Sequence, residues 1–259
     1  MFNLKKFAGL LKKEWVLYRT WLFAGVFIGL MLSMVVPYLI RRFSVEFTME
    51  NQLSFAFSIL VLVLGGFYSV LQFLASMRHD LKSKEIWLHS TSSIAQLVGV
   101  KIAFSLIGYA IFNLIFMSIA IYKVKEEFIG NFAQMFLLLL FFVAVIVMFQ
   151  LMMFVIMLLF LAMNLQMKHF IGGFSIVITM FTFFISMDLW FKFTESDFYD
   201  KIFHHIGIRL TILEQIFPQS PSFQFGLGTM YVVEEVATII LVAILFIIAT
   251  KWLEKVVLR

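Results

Sequence analysis

Six runs of this chain are too long and too apolar to be folded away inside a water-facing globule. They cover residues of about 21–40, 53–75, 102–122, 132–163, 170–191 and 230–250. About 20 mostly apolar residues suffice for a helix to cross some 30 Å of hydrocarbon. In lipid each backbone N–H and C=O must be satisfied within the protein, which selects the helix for runs of this kind. The expected fold is therefore all-α, a polytopic membrane protein with six transmembrane helices in one domain, residues 1–259. The fourth run has 32 residues and would be about 48 Å long as a helix, so it projects beyond the bilayer or tilts strongly.

Composition agrees. Hydrophobic residues make up 63% and charged residues 14%, with a mean hydropathy of +1.01. A soluble domain has about 45–50% apolar and about 25% charged residues. The absence of cysteine excludes disulfides, thiolate metal sites and cysteine nucleophiles. The sequence pI near 9.4 does not point to nucleic acid, because the basic residues flank the apolar runs, where they set membrane orientation. The N-terminal lysines followed by an apolar run resemble a signal peptide, but residues 21–40 are too long for its core and no A-x-A site follows. This run is expected to stay as the first span.

With the N-terminus in the cytosol, thirteen Lys and Arg fall inside: Lys5, Lys6, Lys12, Lys13 and Arg19, Arg78, Lys82, Lys84 and Lys101, Lys168, and Lys251, Lys255 and Arg259. Seven fall outside: Arg41, Arg42, Lys123, Lys125, Lys192, Lys201 and Arg209. The bias predicts a multi-pass plasma-membrane protein with both termini cytoplasmic.

Residues 2–19 form an amphipathic element. Leu4, Phe7, Ala8, Leu11, Trp15 and Tyr18 share one helical face, and Lys5, Lys6, Lys12 and Lys13 the other. This pattern predicts a separate interfacial helix with its lysines toward anionic headgroups; the plainer reading is an extension of the first span. At the other end, residues 192–229 form the longest stretch outside the runs. Apolar residues at helical spacing over 202–217 predict a short helix there that dips into the outer leaflet.

The chemistry-bearing motifs are sparse. The sequence contains no nucleotide-binding G-x-x-x-x-G-K-[ST], no G-x-S-x-G and no H-E-x-x-H. His204 and His205 read as a solvated pair, and Glu234 and Glu235 as a span boundary. The polar residues within the runs are neutral. Among them, Asn113 and Gln150 are candidate pathway residues, although such side chains more often bond neighbouring helices. Gly25 and Gly29 form a G-x-x-x-G that permits close helix approach, within the chain or in a dimer. Lacking a titratable relay, a transport reading would need energy from elsewhere.

The loop after the second run carries charges, then Lys84, Glu85, Ile86, Trp87 and Leu88, then a Ser/Thr run leading into the third span. An aromatic anchor with a polar rim suits a docking surface; the alternative is a helix lying on the membrane with Trp87 as interfacial anchor. The pattern Lys84, Glu85, Trp87, Leu88, Ser93, Gln96, Leu97 and Lys101, the amphipathic N-terminus, the six runs and the outer stretch together resemble the permease subunit of type-2 ABC exporters. The resemblance implies that the loop is a coupling helix docked on a cytoplasmic ABC ATPase subunit. It implies two permease subunits, as a homodimer or heterodimer in the bilayer, with two ATPases. It also implies no cofactor bound directly, ATP and Mg being held by the ATPase, and no enzymatic activity in this chain. An interior rich in Phe and Met suits an amphipathic or hydrophobic substrate such as a peptide, toxin, antimicrobial or lipid-like molecule. A non-transporting sensor or immunity protein and an intramembrane enzyme remain alternatives.

Overall fold

The computed structural model describes residues 4–43, 50–82, 92–127, 129–217 and 226–257. Nearly all of them are helical. Helix α1 (Leu4–Leu30) passes through a π-helical turn, Met31–Val35, into α2 (Val36–Phe43); α3 (Glu50–Lys82), α4 (Ile94–Lys123), α5 (Phe132–Ile171), α6 (Ser175–Thr194), α7 (Asp197–Phe203), α8 (Thr211–Ile216) and α9 (Val232–Val257) follow. A two-stranded antiparallel ribbon, β1 (Gly207–Arg209) with β2 (Thr229–Tyr231), is the sheet among the described residues.

Five stretches are long and apolar enough to cross a membrane: Lys5–Phe43, Asn51–Lys82, Ile94–Lys123, Phe132–Thr194 and Val232–Val257. Large apolar side chains stand on their outer faces, with Phe23, Phe67, Phe149 and Phe181 each at least 60% exposed. Such a surface is untenable in water. The chain is built as a helical, membrane-embedded protein.

The described residues form two compact units. The first holds residues 4–43, 50–82, 96–127, 129–151 and 215–217. Here α3 runs antiparallel to α1: Tyr68 donates to the Trp21 carbonyl (2.6 Å) near one end and Lys13 to Asp80 (3.3 Å) near the other. Val61, Leu62, Phe112, Phe116, Leu139 and Val143 make its core. The π turn has a local cause. Pro37 has no N–H to give to the carbonyl four residues back, at Ser33, and its ring crowds that carbonyl. The turn widens, with the Val36 N–H reaching the Met31 carbonyl, and Ser54 Oγ of α3 donates to the freed Ser33 carbonyl at 2.7 Å. A backbone acceptor that would otherwise be orphaned in an apolar medium is thereby satisfied.

The second unit holds residues 92–95, 152–214 and 226–257. Its chain reverses at Gly172–Phe174, where Gly172 has φ +59°, a left-handed conformation that suits glycine. Helix α6 returns along the end of α5, with Phe160 edge-on to Phe183 at 5.2 Å and Ser175 Oγ donating to Asn164 Oδ1 at 2.7 Å. Gln166 of α5 accepts a hydrogen bond from the Trp252 indole of α9.

The structure departs from the sequence expectation in three places. Residues 4–19 are not a separate element: α1 continues unbroken from Leu4 to Leu30, because nothing at Arg19 or Thr20 breaks a helix. The fourth run is longer than expected, since α5 has 40 residues; polar residues at its end, such as Asn164, Gln166 and Lys168, tolerate a helix as readily as a loop. No single helix covers 202–217. α7 ends at Phe203, and Gly207–Arg209 pairs with Thr229–Tyr231. A strand partner some twenty residues downstream outweighs local helical spacing.

Candidate functional site

In the first unit, α1, α3 and α4 come together on a buried set of charges. Lys101 on α4 is only 2% exposed. Its ammonium lies 2.7 Å from Glu14 Oε1 on α1 and 2.9 Å from Asp80 Oδ2 on α3, and it donates to Ser76 Oγ at 2.6 Å. Ser76 Oγ in turn donates to Glu14 Oε2 at 2.8 Å. Lys13 reaches Asp80 from the rim, 3.3 Å away. Two carboxylates face two ammonium groups, so the cluster is formally neutral. Each ion taken from water carries a desolvation penalty of several kcal/mol, offset only when its hydrogen bonds are also satisfied. Here the Lys101 donors go to Glu14, Asp80 and Ser76.

Local sequence explains the placement. Ser76 and Asp80 are four residues apart and so share one face of α3. Ser69 and Gln72 extend the same stripe, and all four are buried. Lys13 and Glu14 are neighbours pointing to different sides of α1, so Glu14 turns inward while Lys13 stays at the edge. Helix-based reading assigned Lys101 and Lys13 to membrane orientation and passed over Glu14, Ser76 and Asp80. The polar stripe on α3 was the available signal.

The other anticipated residues are placed as follows. Gln150 Nε2 donates to Ser69 Oγ (2.8 Å) and to the Gly66 carbonyl (3.1 Å), tying α5 to α3. Asn113 Nδ2 donates to the Tyr109 carbonyl of its own helix. Gly25 and Gly29 face Tyr68 and Phe116 of the same chain; a Cβ at Gly29 would lie 2.4 Å from Phe116 Cζ. On α1, Phe7 and Leu11 are half-buried, Lys5, Lys6 and Lys12 are exposed, and Trp15 stands edge-on to Phe104 at 6.5 Å. The coupling segment Lys84, Glu85, Ile86, Trp87 and Leu88 lies outside the described residues.

The second unit carries a smaller polar cluster. His204 sits 2.9 Å from Asp200 through Nδ1 and 3.5 Å from Glu234 through Nε2, with its ring stacked 3.9 Å from that of Tyr231. Thus His204 is more than one of a solvated pair, its partner Glu234 lying thirty residues away, while Glu234 sits in the first turn of α9, at the expected span boundary. Tyr199 Oη donates to Glu234 Oε1 at 2.8 Å. Burial, then this bond to a carboxylate and the charges of Glu234 and Glu235, push the Tyr199 phenol up to about 12 from 10.0. A raised phenol value favours the neutral, donating form in the folded state. Its contribution is therefore complete below pH 10 and is lost as pH rises toward 12. Tyr199→Phe should remove that part of the pH dependence: the stability difference between wild type and variant, from unfolding in detergent, should shrink steadily across pH 10–12.

Among the described residues no three His, Cys, Asp or Glu side chains converge as a metal site. No protein-family model, curated protein or solved structure matches the chain.

Proposed function

We propose that this chain is the permease subunit of an ATP-driven exporter of the type-2 ABC kind, moving an amphipathic or hydrophobic substrate outward with energy from a separate ATPase. In this reading α5 and α6 each cross the bilayer, which gives six crossings and cytoplasmic termini. The observation that carries the proposal is the Glu14–Ser76–Asp80–Lys101 cluster. α3 leads into the loop bearing Trp87, and α4 leads out of it. A push on that loop reaches both helices, and the cluster binds both to α1. Three helices then move as one body, as coupling of an external ATPase to the spans requires. The movement needs a differential contact at the loop between the two ATPase states, and Trp87 with Leu88 is its apolar part, with Lys84 and Glu85 setting register.

Purification of the full chain in mild detergent should bring down a soluble ATPase of ABC-domain size. Trp87→Ala should weaken that association by about 30-fold, the scale of an aromatic hot spot, and lower stimulated ATP hydrolysis with it. If no ATPase accompanies the wild-type chain, the exporter reading fails. If one does and Trp87→Ala changes neither binding nor hydrolysis, the docking assignment fails.

A further inference from the structure

The geometry points to a groove between α1 and α4 that holds one acyl chain of an anionic phospholipid, with its phosphate on Lys12. The groove has a volume of about 360 Å³. Its walls are apolar, formed by Leu11, Trp15 and Leu22 on α1 and by Phe104 and Ile111 on α4. Small residues make the space: Ala8 and Gly108 line it where larger side chains would close it.

Length and charge identify the occupant. The α1 lining begins at Ala8, and from Lys12 to Leu22 the groove runs ten residues, about 15 Å. That is half of the about 30 Å hydrocarbon core, the depth of one leaflet. At the mouth stand Trp15, 42% exposed, and the exposed ammonium of Lys12. Tryptophan belongs at headgroup level, which places Lys12 beside the phosphates. Its neighbour Lys13 turns to Asp80, whereas Lys12 forms no ion pair with a described residue. A flat helix face is wetted by whichever lipid is nearest. A leaflet-deep slot with one cation at its mouth retains a chain and selects for negative headgroup charge. This inference rests on membrane embedding and does not depend on the exporter reading.

The test uses the purified, delipidated full chain with phosphatidylglycerol and phosphatidylcholine of identical acyl chains at equal concentrations, read by native mass spectrometry. One surface cation near an anionic headgroup corresponds to about a fivefold preference. The wild type should retain phosphatidylglycerol over phosphatidylcholine by about that factor. Lys12→Gln should bring the ratio close to one while leaving phosphatidylcholine binding in place. Ile107→Trp, which fills the groove, should reduce retention of both lipids, and millimolar inorganic phosphate should not displace the bound lipid. Equal retention of the two lipids by the wild type overturns the inference, as does an unchanged ratio in Lys12→Gln. Undiminished binding in Ile107→Trp, or release by phosphate, indicates a headgroup-only anion site and overturns it too. A wild-type dimer that retains no lipid assigns the groove to a second copy of the chain.

Discussion

Lys101→Met should destabilise the folded chain by about 3–5 kcal/mol, the effect of removing one partner from a buried ion cluster. The variant leaves Glu14 and Asp80, each 3% exposed, as two carboxylates facing each other without the ammonium that lies between them. The loss should appear as a lower unfolding midpoint in detergent and a smaller membrane-inserted yield. Removing the stranded charges should reverse most of it: Lys101→Met combined with Glu14→Gln and Asp80→Asn replaces ions by groups that need no counter-charge. Strong non-additivity is the signature, since the three sites share one network. Lys13→Gln is the internal control. The Lys13 side chain is 35% exposed and stands 3.3 Å from Asp80, so solvent screens the pair and the variant should lose no more than about 1 kcal/mol. A Lys101→Met chain that unfolds where wild type does would remove the rigid-body argument for coupling.

The helical, membrane-embedded character was legible because lipid imposes a length and a composition that single residues cannot override. The ends of the helices were less so. The fourth apolar run ends near position 163, yet α5 continues to Ile171, because a helix extended by polar residues carries no apolar run to betray it. The π turn depends on a single residue, Pro37, and on a hydroxyl 21 positions later, Ser54. The charge cluster escaped for a related reason. Positive residues beside a span have a ready explanation in topology, and that explanation absorbed Lys101. Only the α3 stripe of Ser69, Gln72, Ser76 and Asp80 distinguished a charge facing inward from one facing the headgroups. Glu234 lies in the first turn of α9, at the span boundary expected of it, but its contacts with His204 and Tyr199 span some thirty residues, a separation that local patterns do not carry.

The same dependence on close fit governs the apolar half of the first unit, where Gly29→Leu should destabilise by about 1–3 kcal/mol or more. Within lipid, burying apolar surface gains little, and helices associate chiefly through van der Waals contact, which small residues permit by letting helices approach. Here α4 presents two phenylalanines in contact, Phe112 and Phe116, with ring centroids 4.5 Å apart and planes tilted by 47°. Phe116 fills the notch at Gly29 of α1, and Phe112 fills that at Gly65 of α3, where an added Cβ would lie 2.3 Å from Phe112 Cε1. One aromatic pair thus keys α4 to both neighbours. Any side chain at Gly29 must displace Phe116, which is 0% exposed. Phe116→Ala should cost about 3–5 kcal/mol by leaving a cavity. The two changes should compensate: Gly29→Leu with Phe116→Ala returns much of the lost volume, so the double variant should be more stable than the sum of the single losses by at least about 1 kcal/mol. Unfolding in detergent of the four chains of this cycle reads the coupling directly. Simple additivity would mean that the glycine notch contributes nothing to the register of α1 and α4.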